Sequence, residues 1–332
     1  MRVQFPMQIP FALTAYALPH VLGYLPTLDG TAHPSPLSPL GLLDAAQSRN
    51  LAGVDIPLPA NLSAEALREA LVERDLRLVV EAMSVLEMED AEGYLKKAAA
   101  AGARVVRFTL SGILCGDRRK LGPGGWLQRR DVLARRISEL LPLAETLGLS
   151  LAFENHQDAD TSDFLWLYEK TGEHTSFGVC LDAGNPLAVG EDPVETAKTL
   201  APLIRHIHGK DYTIHFAPKG YRLVRCAAGT GVVDFPKILE IVKSNGFAHL
   251  LPGIEIAAQA TRTIPLLEPS WWAEYPERDV RTLIPALQIL WAKGRPQGEP
   301  YSSAWERGEN SETVSAEEWR ILDESVAYFA QL

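Results

Sequence analysis

Four residues that can bind a metal ion each follow a short, mainly apolar segment of strand character. They are Glu154, Asp182, His208 and Glu255, and the segments before them are 151–153, 179–181, 204–207 and 250–254. In parallel α/β proteins the C-terminal ends of the strands carry the chemistry. Carboxylate and imidazole donors without a thiolate suit Mn²⁺, Mg²⁺ or Co²⁺, and also Zn²⁺. We therefore predict that these four residues bind one divalent metal ion.

The alternative for each acidic residue is a structural role. A single carboxylate at the end of a strand is more often the N-cap of the following helix than a metal ligand. Here the four candidates end four successive strands, and neighbouring strands of a closed barrel bring their ends to one side of its mouth. The convergence favours metal binding over capping.

Two other histidines lie two residues from these candidates. If the strand continued, His156 would share the face of Glu154. It is then either a general base with a pKa near neutrality or a residue that hydrogen-bonds to a metal-binding carboxylate, and the sequence leaves both open. His206 has the same relation to His208, and there a hydrogen-bonded core histidine is the better interpretation.

Basic residues beyond the last strands could bind an anionic substrate. The candidates are Lys210, Arg222, Arg225 and Arg262. Lys210 could hold a substrate oxyanion. The arginines lie in segments that leave the strands at the catalytic face of a barrel, where an arginine can bind a carboxylate or phosphate through paired hydrogen bonds. A solvated loop charge is the alternative for each arginine, but we expect at least one of the three to bind substrate.

The elements that must position these residues alternate between strand and helix patterns. Strand-like segments at 11–18, 51–56, 76–81 and 103–109 precede the four that end at the metal candidates. Helical spacing separates them, most clearly in 131–147, where apolar residues recur at intervals of three and four. This alternation predicts an α/β protein with a single (β/α)8 TIM barrel. Eight alternations favour a closed barrel over a doubly wound open sheet.

The remaining pattern predicts where helices, loops and domains lie. Further helices are predicted at 39–49, 64–73, 89–101, 161–171, 193–200, 235–245 and 279–292, and loops at 112–125, 211–231 and 257–277. Residues 1–292 would form the barrel and 293–332 a C-terminal extension with an extra helix. Ser315 and Glu318 have capping-box spacing and would begin that helix.

Length and composition favour an enzyme with a small substrate. The chain has 332 residues and a net charge of −10, whereas nucleic-acid binding calls for a surplus of Lys and Arg. Cys115, Cys180 and Cys226 are far apart, so we expect free thiols in a reducing compartment. No apolar run approaches the roughly 20 residues that span a membrane, and the N-terminal stretch lacks the features of a signal peptide. We expect a cytoplasmic protein without a nucleic-acid or membrane partner. A homo-oligomer with the C-terminal helix in its contact is one option.

The candidate residues resemble those of a known family. Together with the stretches H-I-H-G-K-D at 206–211 and G-T-G-V-V-D-F at 229–235, they are similar to the xylose isomerase-like TIM barrel superfamily. More narrowly, they resemble its sugar phosphate isomerase/epimerase branch, over about residues 11–292. The resemblance implies a divalent metal, often Mn²⁺, on the same four residues. It also implies that Glu154 and Glu255 move protons on opposite faces of the substrate, as in the epimerases of the branch.

One position departs from the ketose epimerases. They usually carry a histidine three residues after the metal-binding aspartate, where it contacts substrate oxygens, and this chain has Asn185. The Glu-Asn-His stretch that begins at Glu154 looks instead like members that cleave carbon–carbon bonds next to a ketone. These include decarboxylases of oxo-sugar acids and enzymes that release aglycones from oxidised C-glycosides. In those members a histidine placed like His156 serves as the base.

We therefore expect an enzyme that acts on a small, carbohydrate-derived molecule. The first hypothesis is a metal-dependent isomerase or epimerase of a sugar or sugar acid, which works through a metal-stabilised enediolate. Its catalytic residues would be Glu154, Glu255 and His156, with Lys210, Arg222, Arg262 and Asn185 at the substrate. The second hypothesis is a lyase on an oxo-sugar derivative with His156 as base. The third is a non-catalytic barrel subunit.

Overall fold

Eight parallel strands close into a barrel in this computed structural model, which describes residues 9–245, 250–256, 262–296 and 302–332. The strands of the described residues are β1 (Ala12–Thr14), β2 (Gly53–Pro57), β3 (Arg77–Ala82), β4 (Val105–Thr109), β5 (Ser150–Glu154), β6 (Phe177–Asp182), β7 (Ile204–Gly209), β8 (Asp211–Ala217), β9 (Gly220–Cys226), β10 (Gly253–Ile254) and β11 (Arg262–Ile264). Strands β1 to β7 and β10 form the barrel, and β1 pairs with both β2 and β10 to close it. The predicted (β/α)8 TIM barrel is confirmed.

Helices separate the barrel strands where the apolar spacing predicts them. They are α1 (Pro39–Ser48), α2 (Ala64–Glu73), α3 (Ala91–Ala100), α4 (Gly125–Thr146), α5 (Thr161–Lys170), α6 (Pro193–Leu200) and α7 (Phe235–Ser244). Helices α8 (Ile284–Lys293) and α9 (Ser311–Phe329) follow the last barrel strand. Local signals fix their starts: the Asp160 side chain forms a capping box with Asp163, and Pro193 occupies the first turn of α6. Helix α4 begins six residues before the predicted segment 131–147.

Side chains alternate along each strand, and this places a charged layer above an apolar one inside the barrel. Val79, Val105, Ala152 and Cys180 belong to a buried apolar cluster. Two residues further along the same strands are Glu81, Arg107, Glu154 and Asp182. Because side chains two apart in a strand share a face, these charged groups point into the barrel at its C-terminal end. The apolar layer closes the barrel beneath them.

The predicted loop at 211–231 is wrong for most of its length. Strands β8 and β9 pair along their whole length as an antiparallel hairpin, and β11 joins β9. The segment alternates buried apolar residues with polar ones, which is a strand pattern, but it sits where most barrels have a connecting loop. The buried residues pack with β11 and α8 in what we call the hairpin core: Tyr212, Ile214, Tyr221, Leu223, Ile264, Trp271 and Leu290. Strand β11 lies in the other predicted loop, 257–277, whose residues 257–261 are outside the described part of the chain.

The C-terminal helix predicted in addition to the barrel helices is present as α9. It begins at Ser311 after the N-cap Asn310, so the predicted start at Ser315 is wrong. Glu318 does not cap the helix: its carboxylate is buried and accepts backbone N–H bonds from His20 and Val21, each at 3.0 Å. Through Glu318, helix α9 therefore stabilises the position of the loop that follows β1. The division of the chain at residue 292 stays a prediction.

The three cysteines are free thiols, as predicted, and Cys180 and Cys226 are buried. In the part of the chain that the structure describes, no helix combines the length and the apolar character needed to cross a membrane.

Candidate metal centre

The four predicted metal-binding residues come together at the C-terminal end of the barrel. Glu154 and Asp182 are the last residues of β5 and β6, His208 is in β7, and Glu255 follows β10 directly. One donor atom from each residue lies within 4.8 Å of the others, and all four side chains are buried. We call this group the metal centre.

Asp55 of β2 orients the histidine of the metal centre. Its Oδ2 lies 2.9 Å from Nε2 of His208. The other ring nitrogen, Nδ1, therefore faces the centre, 2.8 Å from Oε2 of Glu255 and 3.6 Å from Oε1 of Glu154. A carboxylate behind a metal-binding imidazole is a common way to fix its orientation. The sequence analysis missed this role for Asp55, although an acidic residue near the end of an apolar strand was a signal for it.

The residues present fit a divalent ion. Oε1 of Glu154 is buried and accepts no hydrogen bond from the described residues. Asp182 uses Oδ1 to accept the backbone N–H groups of Gly184 and Asn185, at 3.0 and 3.1 Å, so only Oδ2 is turned to the centre. Buried carboxylate oxygens without donors of their own are costly unless a cation meets them. Three carboxylates and one imidazole are a donor set that Mn²⁺, Mg²⁺, Co²⁺ and Zn²⁺ accept.

Neighbouring charges keep two of the carboxylates ionised. Burial raises the pKa of Glu154, but the charges of Arg107 and His208 outweigh it and lower that pKa to about 2. Burial also opposes ionisation of Glu255, and Lys210 and His208 hold its pKa well below the usual range. For Asp182 burial dominates and raises the pKa to about 6, despite Lys210.

Lys210 lies inside the metal centre rather than on the cavity wall. Its side chain is fully buried, and its Nζ contacts Oδ2 of Asp182 and lies 2.5 Å from Oε1 of Glu255. Burial alone would lower the pKa of Lys210, but the charges of Asp182 and Glu255 raise it. The residue predicted to hold a substrate oxyanion is thus paired with two candidate metal ligands.

Asp211 joins the two sequence stretches that carry the family resemblance. Its carboxylate accepts the backbone N–H groups of Gly229, Gly231 and Val233 at 2.9–3.1 Å. A Cβ on Gly231 would lie 2.2 Å from Oδ1 of Asp211. Only glycine allows this close approach, so H-I-H-G-K-D and G-T-G-V-V-D-F form one structural unit behind the metal centre.

A cavity of about 580 Å³ opens above the metal centre. Its floor includes Glu154 and Glu255. Its wall includes polar or charged residues, namely Glu81, Arg107, His156, Arg225 and Arg262, and largely apolar ones, namely Tyr16, Tyr24, Leu25, Met83 and Leu114. A cavity of this size suits a small molecule that places a polar end on the metal centre.

The structure separates the predicted substrate-binding residues. Arg225 and Arg262 line the cavity, whereas Lys210, Arg222 and Asn185 are not among its lining residues. Arg222 forms an ion pair with Glu306 at 2.8 Å. Asn185 is buried, and its Oδ1 accepts a hydrogen bond from the Tyr212 hydroxyl at 3.2 Å. Direct substrate contact through Arg222 or Asn185 stays a prediction.

His156 lies on the cavity wall beside Glu154. Burial lowers its pKa to about 4, although the charge of Glu154 acts in the opposite direction. The ring is therefore neutral near pH 7, and its Nδ1 has no hydrogen-bond partner among the described residues. A neutral imidazole at the cavity can accept a proton from a substrate. His206, in contrast, is fully buried with Nε2 2.9 Å from Oδ2 of Asp55, as expected of a core histidine.

Glu81 and Arg107 are in contact on the cavity wall, and this buried pair was not predicted from the sequence. Arg107 lies 3.0 Å from Glu81 and 3.3 Å from Glu154. Burial raises the pKa of Glu81 to about 8, against the charge of Arg107. Arginine in the middle of the apolar segment 103–109 was the available signal, because a strand side chain that faces a barrel interior is rarely charged without a partner.

A second, largely buried cluster of charges is formed by residues of helices α4 and α5 and of the loops beside the barrel mouth. We call it the Arg118 cluster: Arg118, Arg130 and Arg278 with Asp160, Asp163 and Glu191. The loop predicted at 112–125 is present apart from a short 3-10 helix at Arg118–Leu121, but Arg118 itself is fully buried. Its guanidinium lies over the rings of Trp126 and Tyr275, at 4.5 and 4.0 Å.

The family profile described as "xylose isomerase-like TIM barrel" matches residues 43–275. This is more than half of the chain, and the chain belongs to that family. The fold and the order of the candidate ligands along it agree with the match.

Individual relatives are distant. The chain is 27% identical over 216 residues to the uncharacterized protein YihM of Escherichia coli K12, a match that covers 60% of this chain and 61% of YihM. It is 25% identical over 264 residues to a 3-oxo-isoapionate decarboxylase of Pectobacterium atrosepticum, covering 76% of this chain and 86% of that enzyme. A xylose isomerase-like TIM barrel protein of Mycobacterium smegmatis, solved with magnesium, has a TM-score of 0.54 at 19% identity. That match covers 86% of this chain and 97% of the other, and it shows the shared fold.

Proposed function

We propose that this member of the xylose isomerase-like TIM barrel family is a divalent-metal-dependent isomerase or epimerase of a sugar or sugar acid. One observation carries the proposal. Glu154, Asp182, His208 and Glu255 converge, and two of them, Glu154 and Glu255, line a cavity together with the neutral ring of His156. A metal-binding set beside a proton acceptor is the arrangement that proton removal next to a carbonyl requires.

Glu154, Asp182, His208 and Glu255 would hold the ion. When bound, it would act as a Lewis acid that stabilises the negative charge of an enediolate. Any of Mn²⁺, Mg²⁺, Co²⁺ and Zn²⁺ suits these donors, and we expect Mn²⁺ from the family resemblance.

His156 is the best-placed proton acceptor. Glu154 and Glu255 are held as anions by neighbouring cations, so their basicity is low. His156 is neutral and lines the cavity. A well-placed general base contributes about 10²–10⁴-fold to the rate. Return of the proton to another carbon gives isomerisation, and return to the opposite face gives epimerisation.

Arg225 and Arg262 favour a substrate with an acidic group. Both line the cavity, and they lie close enough that the charge of Arg225, together with burial, lowers the pKa of Arg262. Two neighbouring guanidinium groups attract a carboxylate or phosphate. Tyr16 and Tyr24 also line the cavity, and a sugar ring can pack on aromatic side chains. We therefore favour a sugar acid or sugar phosphate over a neutral ketose.

The second candidate is a lyase on an oxo-sugar derivative. Two observations favour it: the relative named 3-oxo-isoapionate decarboxylase, and Asn185 in place of the histidine of ketose epimerases. Loss of carbon dioxide from a 3-oxo acid leaves the same kind of enediolate, which then needs a proton. The apolar residues that line the cavity, such as Leu25, Met83 and Leu114, could also contact the aglycone of an oxidised C-glycoside.

Product analysis in deuterated water separates the two candidates. The protein is supplied with Mn²⁺, incubated with a panel of 3-oxo sugar acids, ketoses and ketose phosphates, and followed by NMR and mass spectrometry. An isomer or epimer of unchanged carbon count that contains one solvent deuterium supports the isomerase or epimerase. Release of carbon dioxide or of an aglycone supports the lyase.

A variant of the base completes this test. His156→Asn should lower the rate by at least about 10²-fold while leaving the bound metal in place. Turnover that is equal in the parent and in His156→Asn would contradict the assignment of the base. No conversion of any substrate by the metal-loaded parent would count against both candidates.

A further inference from the structure

The position of Lys210 bears on how the metal centre binds its ion. The residue follows β7 directly, and its backbone N–H donates to the carbonyl of His208 at 3.0 Å. Its side chain is fully buried, with the Nζ between Asp182 and Glu255. These are two of the four residues whose donor atoms converge. A cation supplied by the chain itself therefore occupies part of the space between the metal-binding carboxylates.

Asp182 offers only one oxygen to this space. Its Oδ1 is engaged by the backbone N–H groups of Gly184 and Asn185. Its Oδ2 is the atom that Lys210 contacts. A metal ion at the centre and the ammonium of Lys210 must therefore meet at the same oxygen.

Both carboxylate oxygens of Glu255 also have neighbours in the metal centre. Its Oε1 lies 2.5 Å from the ammonium, while its Oε2 is turned to Nδ1 of His208 at 2.8 Å. A divalent ion held by Asp182 and Glu255 would stand within a few ångströms of a second positive charge, and like charges at that distance repel strongly in a buried site.

We infer that Lys210 is a built-in competitor that weakens metal binding at this centre. It neutralises Asp182 and Glu255 when they hold no ion, and it must withdraw from Asp182 when they do. The inference rests on the proposed metal centre. If the proposed reaction is also correct, the withdrawn ammonium becomes available to a negative substrate oxygen, which would reconcile its burial with a role at the substrate.

Removing the ammonium should therefore strengthen metal binding. Lys210→Met keeps much of the volume of the side chain and removes its charge. We expect its Kd for Mn²⁺, measured by the EPR signal of free Mn²⁺ during titration, to fall by about tenfold or more. Lys210→Arg keeps the charge and should bind Mn²⁺ with the Kd of the parent or more weakly. Lys198→Met, which removes the exposed ion pair with Glu195, is the matched control and should leave the Kd unchanged.

Thermal unfolding gives a second readout that does not depend on turnover. In excess chelator Lys210→Met should melt below the parent, because Asp182 and Glu255 lose their cation. With saturating Mn²⁺ the difference should shrink or disappear. A purely structural lysine would lower the melting temperature equally under both conditions, and that result would overturn the inference.

The outcomes of these measurements are distinct from those of the functional test. A Kd for Mn²⁺ in Lys210→Met that is equal to or weaker than that of the parent contradicts competition. Absence of Mn²⁺ binding in both proteins overturns the metal centre and this inference together. Suppose that Lys210→Met binds Mn²⁺ more tightly than the parent, but the metal-loaded parent converts no sugar. This result would support the inference and count against the proposed reaction alone.

Discussion

The metal centre and the Arg118 cluster are two buried groups of charges beside the same barrel mouth, and they are built differently. In the Arg118 cluster three arginines face three carboxylates through direct contacts. In the metal centre three carboxylates and a histidine face Lys210 and Arg107, and Arg107 is shared with a further carboxylate, that of Glu81. A buried group with equal numbers of positive and negative side chains needs no further ion. A buried group with more carboxylates than cationic side chains is stabilised by an added cation.

The two groups also differ in their access to the cavity. The Arg118 guanidinium lies over two aromatic rings and also donates to the carbonyl of Asp158 at 2.8 Å. None of the six residues of the cluster lines the cavity above the metal centre. Two of the four residues of the metal centre form part of that cavity. Burial and charge alone therefore do not distinguish a structural cluster from a binding site; charge balance and access do.

The largest expected effect comes from the metal centre. The double variant Glu154→Gln/Glu255→Gln should change the metal content from about one ion per chain to none and abolish turnover, because two of the three anionic donors are lost. The protein should stay folded, since glutamine has the size of glutamate and can still accept hydrogen bonds from Arg107 and Lys210. Elemental analysis and circular dichroism check both statements.

The matched control for that experiment is Glu69→Gln/Glu73→Gln, which changes two exposed glutamates of α2. It should retain the metal of the parent. If Glu154→Gln/Glu255→Gln still bound one metal ion per chain, these glutamates would not be metal ligands. The metal centre would then be a structural group of charges, like the Arg118 cluster.

The next largest effect concerns the Arg118 cluster and should appear in stability alone. Arg118→Met removes one partner from a buried network and leaves Asp160 and Asp163 without their shared cation, which costs about 3–5 kcal/mol. Urea unfolding should show this loss, and the metal content of the folded variant should equal that of the parent. Arg119→Met, at a partly exposed neighbour, should change stability by less than about 1 kcal/mol. Loss of metal from folded Arg118→Met would show that the two groups are coupled.

The smallest effect is a pH dependence at Asp158, whose backbone carbonyl accepts a hydrogen bond from Arg118. Burial raises its pKa to about 6, although Ser111 donates a hydrogen bond to the carboxylate at 2.6 Å. Because the folded pKa lies above the unfolded value of about 3.9, the ionised carboxylate opposes folding above about pH 6. The parent should therefore gain stability from this residue as the pH falls from about 7 to 4.

The variant Asp158→Asn isolates that contribution, because asparagine does not titrate. Its stability relative to the parent should be higher at pH 8 than at pH 4 by about 2–3 kcal/mol. Urea unfolding of both proteins at the two pH values gives this difference, and constant effects of the substitution cancel in it. A relative stability that is the same at both pH values would mean that Asp158 has an ordinary pKa in the folded protein.

Structural features that depend on residues close together in the chain could be predicted from the sequence. The ends of β5, β6 and β7 follow directly from apolar segments that stop at a polar residue, and the barrel follows from their alternation with helices. The hairpin β8–β9 was missed although its residues alternate, because its place after a barrel strand suggested a loop. The start of α9 was misplaced because Glu318 has capping-box spacing but binds the backbone of the β1 loop instead.

The sequence by itself determined the fold and the set of residues that meet at the barrel mouth, because strand periodicity fixes which side chains share a face. Only the tertiary structure decided what those residues touch. The structure places Asp55 behind His208, Arg107 between Glu81 and Glu154, and Lys210 against Asp182, and each of these contacts joins residues from separate elements of the fold. Such contacts depend on barrel closure and strand register, which no local pattern of residues encodes.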